Sequence, residues 1–203
     1  MRLWAIVPVK PLNKGKSRLS EVLPEARRIL LNNTLFQHTL HILKQVERIS
    51  DILVISQDGS VLKYANELGL HSMAEEGALD LNLALLKATE YAKDYFVDGV
   101  LILPADLPLL TAYDVDDVID IMPEPPCLVI APDRHRQGTN ALLLSPLDLI
   151  TFSFGHDSFS KHAIQAMRIG AKLEIIENQN ISVDLDLPED LQFLEDQLLL
   201  KNM

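Results

Sequence analysis

Asp106 stands between two prolines in Leu103-Pro104-Ala105-Asp106-Leu107-Pro108, directly after an apolar run that follows Gly99. That run is too short for a helix and is bounded by Gly and Pro, so it reads as a buried strand. Proline fixes φ and donates no N–H, so the chain must leave the sheet here in a defined turn. Open α/β sheets bind ligands at the carboxyl ends of their strands, where Asp106 falls. The ordinary alternative is a carboxylate that caps the next helix. Asp184 and Asp186 lie two apart in residues 181–186, alternating with Val183, Leu185 and Leu187. In an extended chain the two carboxylates share one face and the apolar residues the other. Brought together, they raise each other's pKa unless a cation lies between them. A solvated acidic pair is the bland reading. If Asp106 meets them, three oxygen ligands facing phosphates suit Mg²⁺.

The basic counterpart is residues 10–18, where Lys10, Lys14, Lys16 and Arg18 occur with no acid. A solvated loop is the usual meaning of such a cluster. Its place after a first buried strand is, however, where α/β folds bind phosphate. Gly15-Lys16-Ser17 resembles the end of a P-loop, but Lys10 stands where that motif needs Gly, and no G-x-G-x-x-G occurs. Gly138-Thr139-Asn140 and Phe154-Gly155-His156-Asp157-Ser158-Phe159 are polar turns beside apolar elements. Glycine lets backbone N–H groups approach an anion, a hydroxyl adds a donor, and a helix start at Ser158 adds the positive end of a dipole. This suits a second phosphate, against a plain turn and an ordinary helix cap. His156 and His162 read as surface residues without a catalytic role.

Elements that would carry these residues alternate along the chain. Apolar runs predict strands at 3–9, 51–56, 70–74, 100–103, 127–131, 141–144 and 172–176, with 181–186 also extended. Helical spacing predicts helices over 24–47, with Pro24 in the first turn, and over 58–68, 82–92, 113–122, 160–169 and 191–200. Asp58, Asn82 and Thr111 are the expected caps, Gly69 a stop, and residues 75–80 a loop. Asp114, Asp116, Asp117 and Asp120 read as one solvated face. Neither repeats nor linkers interrupt the pattern, so residues 1–203 read as a single domain.

A formal charge of -11 on 203 residues argues against a nucleic-acid partner, because no basic face could be broad enough. Phosphate ligands would need the local cations or a bound metal. The one cysteine, Cys127, lies in an apolar run; without a disulfide framework, signal-peptide pattern or membrane-length run, the expected compartment is a reducing cytoplasm.

Five blocks follow one another in order: Val-Pro-Val-Lys-Pro-Leu (7–12) with Lys-Ser-Arg-Leu (16–19), Leu-Pro-Ala-Asp-Leu-Pro-Leu-Leu (103–110), Gly-Thr-Asn-Ala-Leu (138–142), Phe-Gly-x-x-Ser-Phe (154–159) and Asp-Leu-Asp-Leu-Pro-Glu-Asp-Leu (184–191). With them the chain resembles the phosphoenolpyruvate / 2-phospho-L-lactate guanylyltransferases of deazaflavin coenzyme F-420 biosynthesis. The resemblance implies a nucleotide-diphospho-sugar-transferase-like (Rossmann-like) α/β fold, a mostly parallel mixed sheet with helices on both faces. It implies transfer of GMP from GTP to the phosphate of a three-carbon acid, with pyrophosphate released. Phosphoenolpyruvate is preferred as acceptor over 2-phospho-L-lactate and 3-phosphoglycerate, because the motif spellings resemble bacterial members.

By the same resemblance Asp106, Asp184 and Asp186 correspond to ligands of two Mg²⁺ ions. Thr139, Gly155 and Ser158 correspond to acceptor contacts, Lys10, Lys16 and Arg18 to the triphosphate-facing loop, and Asn82 to a nucleoside contact. Lys16, Arg18 and Asp106 are the expected catalytic set. The implied partners are GTP and the phospho-acid, with a homodimer and hand-off of a labile product to the next pathway enzyme left open. A molybdopterin or sugar-phosphate nucleotidyltransferase should show a Gly-rich first loop instead. A non-catalytic nucleotide-binding module would have no need of three metal-ready carboxylates.

Overall fold

The computed structural model describes residues 1–77 and 80–201, with side chains as far as Leu194. Of the expected loop over 75–80, Ala78 and Leu79 lie outside the described residues. Seven strands form one sheet: β1 (Leu3–Val9), β2 (Ile49–Ser56), β3 (His71–Ala74), β4 (Gly99–Ile102), β5 (Cys127–Pro132), β6 (Thr139–Ser145) and β7 (Lys172–Ile175). Their order across the sheet is β3-β2-β1-β4-β6-β5-β7. Every pairing is parallel except those of β6, which runs antiparallel to both β4 and β5. This is the mostly parallel mixed sheet expected.

The period-two geometry of β1 shows why both faces are covered. Leu3, Ala5 and Val7 pack with Phe36 and Leu40 of α1 (Glu25–Leu43), Val61 of α2 (Gly59–Glu67) and Val115 of α4 (Ala112–Asp120). Trp4 and Ile6 point the other way, onto Leu85 of α3 (Leu81–Lys93) and Ala163 of α5 (Ser158–Arg168). A strand buried on both faces must read as a continuous apolar run, and β1 does. Cys127 is a buried free thiol, as its surroundings predict. Gly99 belongs where β4 meets β6, since a Cβ there would lie 2.9 Å from the Leu144 carbonyl oxygen. No described helix is long and apolar enough to cross a membrane.

Several local expectations shift. Pro24 takes the N-cap position rather than the first turn, and α1 ends at Leu43. Asp58 and Thr111 cap α2 and α4 as expected, but Asp80, not Asn82, caps α3. Both Asp80 and Asn82 are cap formers, and only the backbone path selects between them. Asp114 is buried rather than solvated: it closes a capping box with Thr111 and accepts from Asn178 and Asn180. Residues 181–186 join no strand. They lead into α6 (Pro188–Lys201).

Candidate active site

The strand order reverses at β1, which has β2 on one side and β4 on the other. The segments after β1 and β4 therefore part at their carboxyl ends and leave a crevice, the usual ligand position of an open α/β sheet. A cleft of about 480 Å³ lies there, bordered by Lys10, Lys16, Asn82, Asp106, Gly155 and Asp186.

The loop after β1 is tied down along its length. Lys14 and Gly15 donate backbone N–H bonds to the Pro11 carbonyl, Leu12 N–H donates to Asp58, and the Asn32 amide donates to the Leu12 carbonyl. A Cβ on Gly15 would lie 2.6 Å from Asn32 Nδ2, so a larger residue would displace that clasp. Lys16 follows with φ at 57°, a left-handed conformation uncommon for a residue with a Cβ. Its side chain is 5% exposed, with Nζ 2.9 Å from Asp106 Oδ2 and 3.3 Å from Asp186 Oδ1. Burial alone would depress the Lys16 ammonium, but Asp106 and Asp186 outweigh it and hold the pKa above the ordinary lysine value. Lys16 stays charged. Arg18 is mostly exposed and sits 3.5 Å from Asp186 Oδ2, while Lys10 lies exposed on the cleft margin.

Opposite this loop, Leu185 N–H donates to the Asp106 carbonyl at 3.1 Å, joining two segments remote in sequence. Val183 and Leu185 are buried with Leu35 and Leu194, so the alternation read from sequence holds and the intervening Asp184 and Asp186 turn outward. Asp190 secures this run from the first turn of α6. One carboxylate oxygen accepts from Asp186 N–H at 2.8 Å and Leu187 N–H at 2.6 Å, and the other pairs with Arg134. Asp184 is half-buried and accepts from the Asn140 amide at 3.4 Å. Burial, then the charges of Asp106 and Asp186, push its carboxyl up to about 6. The three aspartates thus share one negative field. Among the described residues, however, no three carboxylate, His or Cys groups form a ready cation cage. The Lys16 ammonium lies between Asp106 and Asp186 instead.

The third wall comes from the turn before α5. Gly155 lines the cleft at φ 114°. Asp157 occupies the N-cap position of α5 in a left-handed conformation and makes no side-chain cap bond, so Ser158 is the first helical residue rather than the cap. Thr139 and Ser158 are buried, 7% and 1% exposed, and neither borders the cleft as Gly155 does. Phe154 N–H donates to Asn82 Oδ1 at 2.7 Å, and Asn82 Nδ2 donates back to the Phe154 carbonyl at 3.3 Å. Asn82 therefore latches this turn to α3, with its second amide N–H outside that pair of bonds. His156 is exposed, but His162 is fully buried, against the expectation of a surface histidine. Its ring meets Thr139 Oγ1 and Ser153 N–H.

Sequence reasoning named Asn140 only within the Gly138-Thr139-Asn140 turn and did not see that His162, Arg134 and Asp190 pack against the candidate site residues. Asp190 carried a signal, an acid at the third position of a helix opened by proline, which is half of a capping box.

Comparisons with known proteins bear on the fold and the family. The family model described as "Guanylyl transferase CofC like" matches residues 3–196. A phosphoenolpyruvate guanylyltransferase of Rubrobacter xylanophilus is 41% identical over 201 residues, 96% of this chain and 94% of that one. A 2-phospho-L-lactate guanylyltransferase of Methanothermobacter thermautotrophicus is 37% identical, over 94% of this chain and 83% of that one. Among solved structures, a putative nucleotide-diphospho-sugar transferase of Desulfovibrio desulfuricans superposes with a TM-score of 0.76 at 20% identity, over 96% of this chain and 87% of the other. A nucleotidyl transferase of Methanothermobacter superposes at 0.71 and 14%, over 98% and 99%. Those two show the fold, and the sequence matches show more: this chain belongs to the CofC-like guanylyltransferase family and is a nucleotidyltransferase enzyme.

Proposed function

We propose that this protein is a single nucleotidyltransferase domain that transfers GMP from GTP to the phosphate of phosphoenolpyruvate, releasing pyrophosphate, in coenzyme F-420 biosynthesis. The observation that carries the reading is the buried Lys16 ammonium held between Asp106 and Asp186 beneath a cleft at the switch point of the sheet. Phosphoenolpyruvate is favoured as acceptor because the relative at 41% identity bears that name, against 37% for the 2-phospho-L-lactate enzyme.

The attacking group is a phosphate monoester oxygen, already largely ionised above its second pKa of about 6. No general base is needed to make it. The barrier is repulsion between two anions and the charge that grows on the departing pyrophosphate, so positioning and electrostatics carry the catalysis. Lys16, with Lys10 on the margin and Arg18 beside Asp186, would supply positive charge to the triphosphate. Asp106, Asp184 and Asp186 would hold Mg²⁺, and their fit rests on three carboxylates in one field, with Asp184 pushed up by burial and then by the charges of Asp106 and Asp186. When bound, the metal supplies charge neutralisation at the phosphates. Thr139, Gly155 and Ser158 would take the small acceptor on the α5 side. Asn82, which borders the cleft, would contact the nucleoside.

A pyrophosphate-release assay crossing the four nucleoside triphosphates with phosphoenolpyruvate, 2-phospho-L-lactate and 3-phosphoglycerate tests the reading. Release is expected with GTP and phosphoenolpyruvate. Preference for another triphosphate, or release with no acceptor of the three, would refute it.

A further inference from the structure

His162 lies fully buried on α5, four residues after Ser158 and so on the same helix face. Its two ring nitrogens have different partners. Ser153 N–H donates to Nε2 at 3.0 Å, and Nδ1 lies 3.1 Å from Thr139 Oγ1. The donor on the first contact is not free to change, because the backbone N–H of residue 153 has no acceptor role. The segment carrying it is also fixed: Gln165 Oε1 accepts from Thr151 N–H, Gln165 Nε2 donates to the Thr151 carbonyl, and Asn82 holds Phe154.

A neutral imidazole has one donor and one acceptor nitrogen. With Nε2 accepting, the proton belongs on Nδ1, and the bond to Thr139 runs from the ring to the hydroxyl. Burial keeps the ring neutral, lowering its pKa to about 4. The Thr139 oxygen therefore accepts, and its own proton must donate elsewhere. An anion bound beside Thr139 is a partner that this free proton suits.

We propose that His162 is a positioning residue, whose Nδ1–H fixes the Thr139 hydroxyl as a donor to the acceptor substrate's anionic oxygen. This rests on Thr139 belonging to the acceptor site. Bonded the opposite way, the hydroxyl would turn lone pairs toward that anion and repel it. The role differs from general acid–base catalysis, since no proton leaves the ring.

The test uses the full chain with GTP, phosphoenolpyruvate and Mg²⁺. His162→Gln keeps an acceptor near the Nε2 position but loses the donor at Nδ1. The phosphoenolpyruvate KM should rise about tenfold, with a much smaller change in the GTP KM. His162→Asn, whose amide can restore a donor near the Nδ1 position, should recover most of the loss. In a Thr139→Val background, His162→Gln should add nothing further, because the hydroxyl it orients is gone. An equal penalty in both backgrounds would overturn the inference and leave the acceptor assignment standing. An unchanged phosphoenolpyruvate KM in Thr139→Val would overturn both. Nitrogen NMR of the unaltered, labelled protein reads the ring directly and does not depend on any variant folding. A proton on Nδ1 is expected, and a proton on Nε2 would overturn the inference.

Discussion

Asp184→Asn should make the protein more stable while ending its turnover. The Asp184 carboxyl titrates at about 6 in the folded chain, against about 3.9 for an unfolded aspartate. The folded form therefore binds more protons than the unfolded form between those values, and wild-type stability falls as pH rises through that window. Holding the half-buried carboxylate ionised in this field costs the folded chain at most about 3 kcal/mol, fully expressed above about pH 7. Asparagine escapes the penalty, carries nearly the same volume, and can still accept from the Asn140 amide. Urea unfolding with chelator present should show the variant more stable by about 2–3 kcal/mol near pH 8, and by almost nothing below pH 4. In a melting experiment the gain is roughly 4–12 °C for a chain of this size. Mg²⁺ should then raise the wild-type midpoint more than the variant's, since the lost carboxylate is one of the proposed ligands. Equal stability near pH 8, or a gain that persists unchanged below pH 4, would refute the electrostatic account of the three-aspartate field.

Three further outcomes follow from the same geometry. Asp106→Asn should lower kcat by at least about 10²-fold with the fold intact by circular dichroism, and full activity with Mg²⁺ present would remove Asp106 from the mechanism. Lys16→Met leaves Asp106 and Asp186 without their shared cation, so pyrophosphate release should fall by about 10²-fold or more and the midpoint of thermal unfolding should drop; an unchanged midpoint would show that the pair is not holding the loop. Asp190→Ala strips the acceptor from Asp186 and Leu187 N–H and the partner from Arg134, costing about 1–3 kcal/mol in urea unfolding and lowering kcat by loosening the Asp184–Asp186 run. Loss of stability without loss of kcat would show that this run does not need α6 to hold it.

Local chemistry was legible along the chain because it depends on near neighbours. The uninterrupted apolar run of β1 announced a strand covered on both faces, and Thr111 marked the start of α4. The alternation through Val183 and Leu185 correctly turned Asp184 and Asp186 to one face without any strand partner. The order of five motifs carried the family, which the family model over residues 3–196 shows. Burial periodicity, however, reports that a residue is covered and not by what. Asp114, read as solvated, is buried because Asn178 and Asn180 come back across it from β7's far end.

What tertiary structure alone decided is the meeting of remote pieces. Leu185 N–H finds the Asp106 carbonyl, and that bond puts Asp184 and Asp186 beside the carboxylate after β4. The same meeting sets Lys16 between two acids and raises Asp184. His162 joined the site only because α5 docks against the start of β6, a contact that spacing along the chain does not encode. Charge and hydrogen-bond energies act over a few ångströms of space, so residue types disclose which groups can react, and the packing of the sheet determines which of them face one another.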